Sequence, residues 1–70
     1  MIEKNVTITT EFIKLDQLLK LTGIAQTGGY AKELILQGTV VVNQKICQQR
    51  GKKLRKGDTI TVDKYQFKII

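Results

Sequence analysis

The chain is expected to fold as a single α+β domain over residues 1–70, with two short helices packed on a small antiparallel β-sheet. Three observations predict this. β-branched residues alternate near the start, apolar residues then recur at helical spacing through Leu19 and again through Ile35, and alternation returns from Val40 to Ile69. Proline is absent and 41% of residues are apolar, a composition of globular rather than disordered chains. A chain of 70 residues buries only about 60% of its unfolded surface, so the core must be small and no linker or second domain is expected.

Val6 and Ile8 alternate with Thr7 and Thr9, the signature of a half-buried strand. Phe12, Leu15, Leu18 and Leu19 follow at helical spacing. A start near Lys14 puts Asp16 and Gln17 in the favourable first turn, and Gly23 serves as the C-terminal cap. Thr27 is suited to N-cap a second helix whose apolar side carries Ala31, Leu34 and Ile35, with Gly38 closing it. Val40 to Val42 read as a strand, with Asn43-Gln44 as a hairpin turn before Lys45 and Ile46. A two-residue type I′ turn needs positive φ at both central positions, which Gln44 resists, so a three-residue loop through Lys45 is an equal alternative. The choice decides whether Ile46 shares a face with Val41 or with Val42. Gln48 to Lys56 reads as an extended loop or irregular strand anchored by Leu54. Gly57-Asp58 marks a turn into Ile60 and Val62, and after a break near Lys64 a last strand carries Tyr65, Phe67 and Ile69.

Several classes of function are disfavoured. Histidine is absent, which removes the commonest general base and metal ligand, and no phosphate-loop or nucleophile-elbow motif occurs. The chain is therefore not expected to be an enzyme, and no cofactor or metal is expected. Cys47 is the only cysteine, so it forms neither an internal disulfide nor a multi-cysteine zinc site, and it reads as a small strand residue. No apolar run approaches the about 20 residues that a bilayer span requires. A soluble cytoplasmic protein without membrane attachment, acting as a monomer, is the expectation.

The charge is strongly segregated. From Met1 to Glu33, Lys4, Lys14, Lys20 and Lys32 are matched by Glu3, Glu11, Asp16 and Glu33. From Asp58 onward, Lys64 and Lys68 are matched by Asp58 and Asp63, so the net +6 comes entirely from Lys45, Arg50, Lys52, Lys53, Arg55 and Lys56. A cluster of one sign repels itself unless something anionic offsets it. The bland reading is a solvated loop that aids solubility; the functional one is a polyanion site. The two arginines favour RNA, because guanidinium forks onto phosphate or stacks on a base. At the second helix, Thr27, Gly28 and Gly29 either present free amides to a phosphate or merely permit a tight interhelical turn. Lys32 lies near enough to add a phosphate contact, and Tyr30 can stack on a base or pack its ring on the core. Asn43 reads as a turn former.

The sequence also resembles a known family. Leu15-Asp16, Leu19, Gly23-Ile24, Thr27, Ala31, Leu34-Ile35, Gly38, Val40, Val42-Asn43 and Gly57-Asp58 with Ile60 match the S-four ribosomal-protein type RNA-binding domain, or alpha-L motif, over about residues 14–62. Thr27 through Lys32 and Arg50 through Asp58 are similar to the small single-domain bacterial proteins of the YaaA and YbcJ type. The resemblance implies two helices on an antiparallel sheet and binding of structured RNA. It implies an RNA face formed by the helical pair and adjoining hairpin, which by position includes Lys14, Thr27, Gly28, Lys32, Lys45, Lys52 and Lys53. Relatives usually carry Ser-Arg where this chain has Thr27-Gly28, and often Asn-Gly where it has Asn43-Gln44. The combined expectation is a non-catalytic protein that recognises the phosphates and shape of structured RNA, with ribosomal RNA or a ribosomal subunit as partner. Its expected contacts are Lys14, Thr27, Gly28, Gly29, Lys32, Lys45, Arg50, Lys52, Lys53, Arg55 and Lys56. The alternative is a basic adaptor that docks on an acidic protein surface.

Overall fold

A computed structural model describes residues 1–70. Its elements run β1 (Ile2–Val6), β2 (Ile13–Lys14), α1 (Leu15–Leu21), α2 (Gly28–Leu36), β3 (Val40–Val42), β4 (Lys45–Ile46), β5 (Lys53–Leu54), β6 (Thr59–Val62) and β7 (Tyr65–Ile69). Five strands form one sheet in the order β1-β7-β6-β3-β4, and β2 pairs with β5 in a separate ribbon. The α+β class with two short helices is as expected, but the sheet is mixed. β1 runs parallel to β7, with Ile2 opposite Tyr65 and Val6 opposite Ile69, while the other pairs are antiparallel. β1 also begins earlier than the Val6-Ile8 alternation suggests, because Ile2 to Asn5 form an exposed edge with little apolar patterning. Ile8 lies past its end yet is buried, and its N–H donates to the Ile70 carbonyl at 3.1 Å.

Both helices carry the ends their sequences specify. The Thr27 hydroxyl oxygen accepts from the Tyr30 N–H at 3.1 Å, so α2 is capped as expected. At its other end Gly38 takes φ +77° and its N–H donates to the Ile35 carbonyl, while Thr39 donates to Leu34, the paired bonds of a Schellman closure. Gly23 closes α1 with φ +83° and a bond to the Lys20 carbonyl, while the Leu19 carbonyl accepts from the Ala25 N–H at 2.9 Å. Phe12 is a correction: it precedes α1 rather than joining it, because Ile13-Lys14 is extended and pairs with Lys53-Leu54.

Asn43 and Gln44 have φ of 50° and 72°, and Val42 faces Lys45 while Val41 faces Ile46. The turn is therefore the two-residue type I′ form, and Ile46 shares the outer face with Val41 and stays exposed. Holding a residue with a Cβ in the left-handed region costs about 1–2 kcal/mol, partly offset in any glycine variant by the greater freedom of the unfolded chain. Gln44→Gly is accordingly expected to stabilise the domain by about 0.5–1 kcal/mol, read as a Tm rise of about 2–8 °C. An unchanged or lower Tm would count against a strained Gln44.

The core lies between the helical pair and the sheet. Leu15, Leu18 and Leu19 of α1 and Ala31 and Ile35 of α2 meet Val40, Val42, Ile60, Val62, Phe67 and Ile69, and Leu54 joins the same cluster from the ribbon. All the buried residues are apolar. No helix is long and apolar enough to cross a membrane.

Candidate nucleic-acid interface

Alternation in the short ribbon decides which side chains face out. Leu54 is fully buried, so Lys53 and Arg55 on either side of it point to solvent. Both settle over the half-buried Phe12, with the Lys53 Nζ 4.9 Å and the Arg55 guanidinium carbon 5.8 Å from the ring centroid. Lys53 pairs across the ribbon with Lys14, also exposed. Immediately before it, the Lys52 and Arg50 carbonyls accept from the Leu15 and Asp16 N–H groups at 2.9 and 3.0 Å. The basic loop thus satisfies the amides that open α1, and its backbone is fixed while its cationic side chains stay exposed. Lys14, Arg50, Lys52, Lys53 and Arg55 are gathered at one end of α1.

Lys45 and Lys52 line a groove of about 720 Å³ that also includes Asn43, Ile46, Gln48 and Gln49. The Gln48 side-chain amide donates to the Leu36 carbonyl at 2.9 Å, tying this groove to the C-terminal end of α2. All six cations of the acid-free segment are exposed, Lys56 included.

Thr27, Gly28, Gly29 and Lys32 are exposed as well but stand elsewhere. Tyr30, on the same first turn, borders a cleft with Thr22, Gly23 and Ile24, at the C-terminal end of α1. The two parts of the expected site are therefore separated by the length of α1, seven residues or about 10 Å. Neither Gly28 nor Gly29 has positive φ, and a Cβ would meet nothing within 4 Å at Gly28 and only the Thr27 hydroxyl, at 4.0 Å, at Gly29. Neither close packing nor a strained turn requires these glycines; they leave the opening turn of α2 uncovered.

The strongest motif residues have structural work. The Asn43 amide nitrogen donates to Asp58 at 3.0 Å, its carbonyl accepts from the Thr59 N–H at 2.9 Å, and Asp58 also accepts from the Arg55 N–H at 2.8 Å. This lock joins the β3-β4 turn to the Gly57-Asp58 turn and holds the end of the basic loop. Cys47 continues the strand, its N–H donating to Val40 at 2.9 Å, and is half-buried against the core. Sequence reasoning missed Phe12, Gln48 and Gln49 as neighbours of the cations. The only available signal for Phe12 was an aromatic beside the Ile13-Lys14 segment, whose pairing with residues about forty positions later is not a local property.

Comparison with known proteins agrees with this arrangement. A family model described as "S4 domain" matches residues 6–70. The chain is also 36% identical over 66 residues, 93% of each chain, to the "Probable ribosome maturation protein RlbA" of Bacillus subtilis (strain 168). The match includes the segments that build the helical pair, the Asn43-Asp58 lock and the basic loop, and the chain belongs to the S4 domain family.

Proposed function

We propose that this chain is a non-catalytic RNA-binding protein of the cytoplasm, acting as a monomer, that recognises the phosphates and shape of structured RNA, ribosomal RNA foremost. The observation that carries the reading is the exposure of all six unmatched cations, Lys45 on β4 and the other five on a segment whose backbone is bonded to the start of α1. Membership of the S4 domain family supports RNA as the polyanion, and the ribosome maturation named for the Bacillus relative supports a ribosomal one. Lys14, Lys45, Arg50, Lys52, Lys53, Arg55 and Lys56 track one stretch of RNA backbone. Binding gains from the counterions this releases. Arg55 and Lys53, partly ordered over Phe12, lose less side-chain freedom on binding than free surface cations do. At the far end of α1, the open amides of Gly28 and Gly29 with the Thr27 hydroxyl and Lys32 meet a further phosphate, where relatives use arginine.

The test is recovery of the protein from cells before and after ribonuclease treatment. Ribosomal RNA, or the subunit that holds it, is expected to be recovered with the protein and lost on ribonuclease. A stoichiometric protein partner that survives the treatment would instead establish an adaptor docked on an acidic surface.

A further inference from the structure

The cleft beside Tyr30 lies apart from the basic loop and is built for something other than phosphate alone. It has a volume of about 550 Å³, within the usual range of about 300–1,000 Å³ for small-molecule sites. Ile24, Leu34 and Val62 give it an apolar floor, and Tyr30 and Tyr65 stand at its walls. Tyr30 is 50% exposed, so its ring is not consumed by the core. The rim is charged: Lys4 places its ammonium group 6.0 Å from the Tyr65 ring centroid, and Asp63 adds a carboxylate. A flat aromatic ligand with amino donors, carried on an anionic backbone, matches each of these features.

We infer that this cleft takes up one unstacked base of the bound RNA, with Tyr30 as its stacking platform. The inference rests on the RNA-binding reading and adds to it a preference for RNA that offers an unpaired nucleotide. Aromatic side chains hold splayed bases in this way in single-stranded loops and bulges, whereas a paired helix keeps its bases in the stack. Asp63 accepts from a base amino group, and Lys4 meets a flanking phosphate. Position supports the same occupant. Tyr30 belongs to the opening turn of α2 and lines the cleft, so a nucleotide whose phosphate rests on that turn has its base within reach of the ring.

The test compares two RNA probes, a hairpin with an unpaired loop and a fully paired duplex of equal length, against the full chain and its Tyr30→Ala and Tyr30→Phe variants. Tyr30 is exposed, so both variants should fold. Tyr30→Ala is expected to weaken hairpin binding by about 5- to 150-fold, leave duplex binding unchanged and keep the same salt dependence, because stacking involves no counterion release. Tyr30→Phe should retain hairpin affinity. Both tyrosines of the chain line the cleft, so photocrosslinked nucleotides should map to the peptides that hold Tyr30 or Tyr65. Unchanged hairpin affinity in Tyr30→Ala, or an equal loss on both probes, overturns the base site while leaving the basic interface standing. Failure of the parent chain to bind either probe overturns the RNA reading itself.

Discussion

Replacing Lys52 and Lys53 together by alanine is expected to weaken binding to many structured RNAs by a similar factor, about 25- to 60-fold near 0.1 M salt. The number follows from counterion release. Each phosphate contact contributes about 0.7–0.9 to the slope of log affinity against log salt, so two contacts remove about 1.4–1.8 from it. Over the tenfold interval from about 1 M, where such contacts lose their value, that slope change is the stated loss. The six cations of the basic segment set a ceiling of about −4 to −5 on the slope they supply, and a steeper one would implicate Lys14 or Lys32 as well. Both substituted side chains are exposed, so stability should move by no more than about 0.5 kcal/mol. Affinity measured at several salt concentrations checks both figures. An unchanged slope in the double variant would remove the basic loop from the interface. A loss confined to one RNA would instead mean that these lysines read bases rather than backbone.

How much of this was legible in the sequence depends on the range of the interaction that decides it. The ends of α2 were legible because Thr27 and Gly38 act within a few residues of themselves, through a hydroxyl on the Tyr30 N–H and a left-handed closure. The Asn43-Gln44 turn was legible only as two alternatives. Gln44 disfavours the form adopted, and pairing of β3 with both β4 and β6 holds it there. The parallel pairing of β1 with β7 was not legible, since it joins residues more than sixty positions apart and Ile2 to Asn5 carry no pattern that names a partner. Phe12 fits a helical spacing and yet sits under Lys53 and Arg55, because the ribbon with Leu54 holds Ile13 and Lys14 extended. The cations of the candidate interface were visible from charge alone. Their division from the opening turn of α2 by the length of α1, and the cleft drawn from α2, the loop after α1 and the β6-β7 turn, are properties of the packed chain.

Leu54→Ala should be the most damaging single change in the basic segment. Leu54 has no exposed surface and joins the common core from the ribbon. Truncating a buried leucine costs about 2–5 kcal/mol, through lost burial and the cavity left behind. A domain of 70 residues has a total stability of only about 4–10 kcal/mol, so the variant should unfold at markedly lower urea, with a midpoint about 2 M or more below the parent at a slope near 1 kcal/mol/M. Leu54→Met, which keeps the volume, should cost under about 1.5 kcal/mol. The two alanine experiments divide the segment between its faces. Lys52 and Lys53 are expected to act on RNA affinity with little effect on folding, whereas Leu54 is fully buried and is expected to act through the position of its neighbours. Its loss frees the ribbon that holds Lys53 and Arg55 over Phe12 and weakens the seating of the Arg50 and Lys52 carbonyls on α1. RNA binding by Leu54→Ala should therefore fall even at a temperature where the variant remains folded, with the salt slope reduced because the cations no longer meet the backbone together. An unchanged urea midpoint would show that the basic loop is not anchored through Leu54, and the fixed spacing of its cations would lose its physical cause.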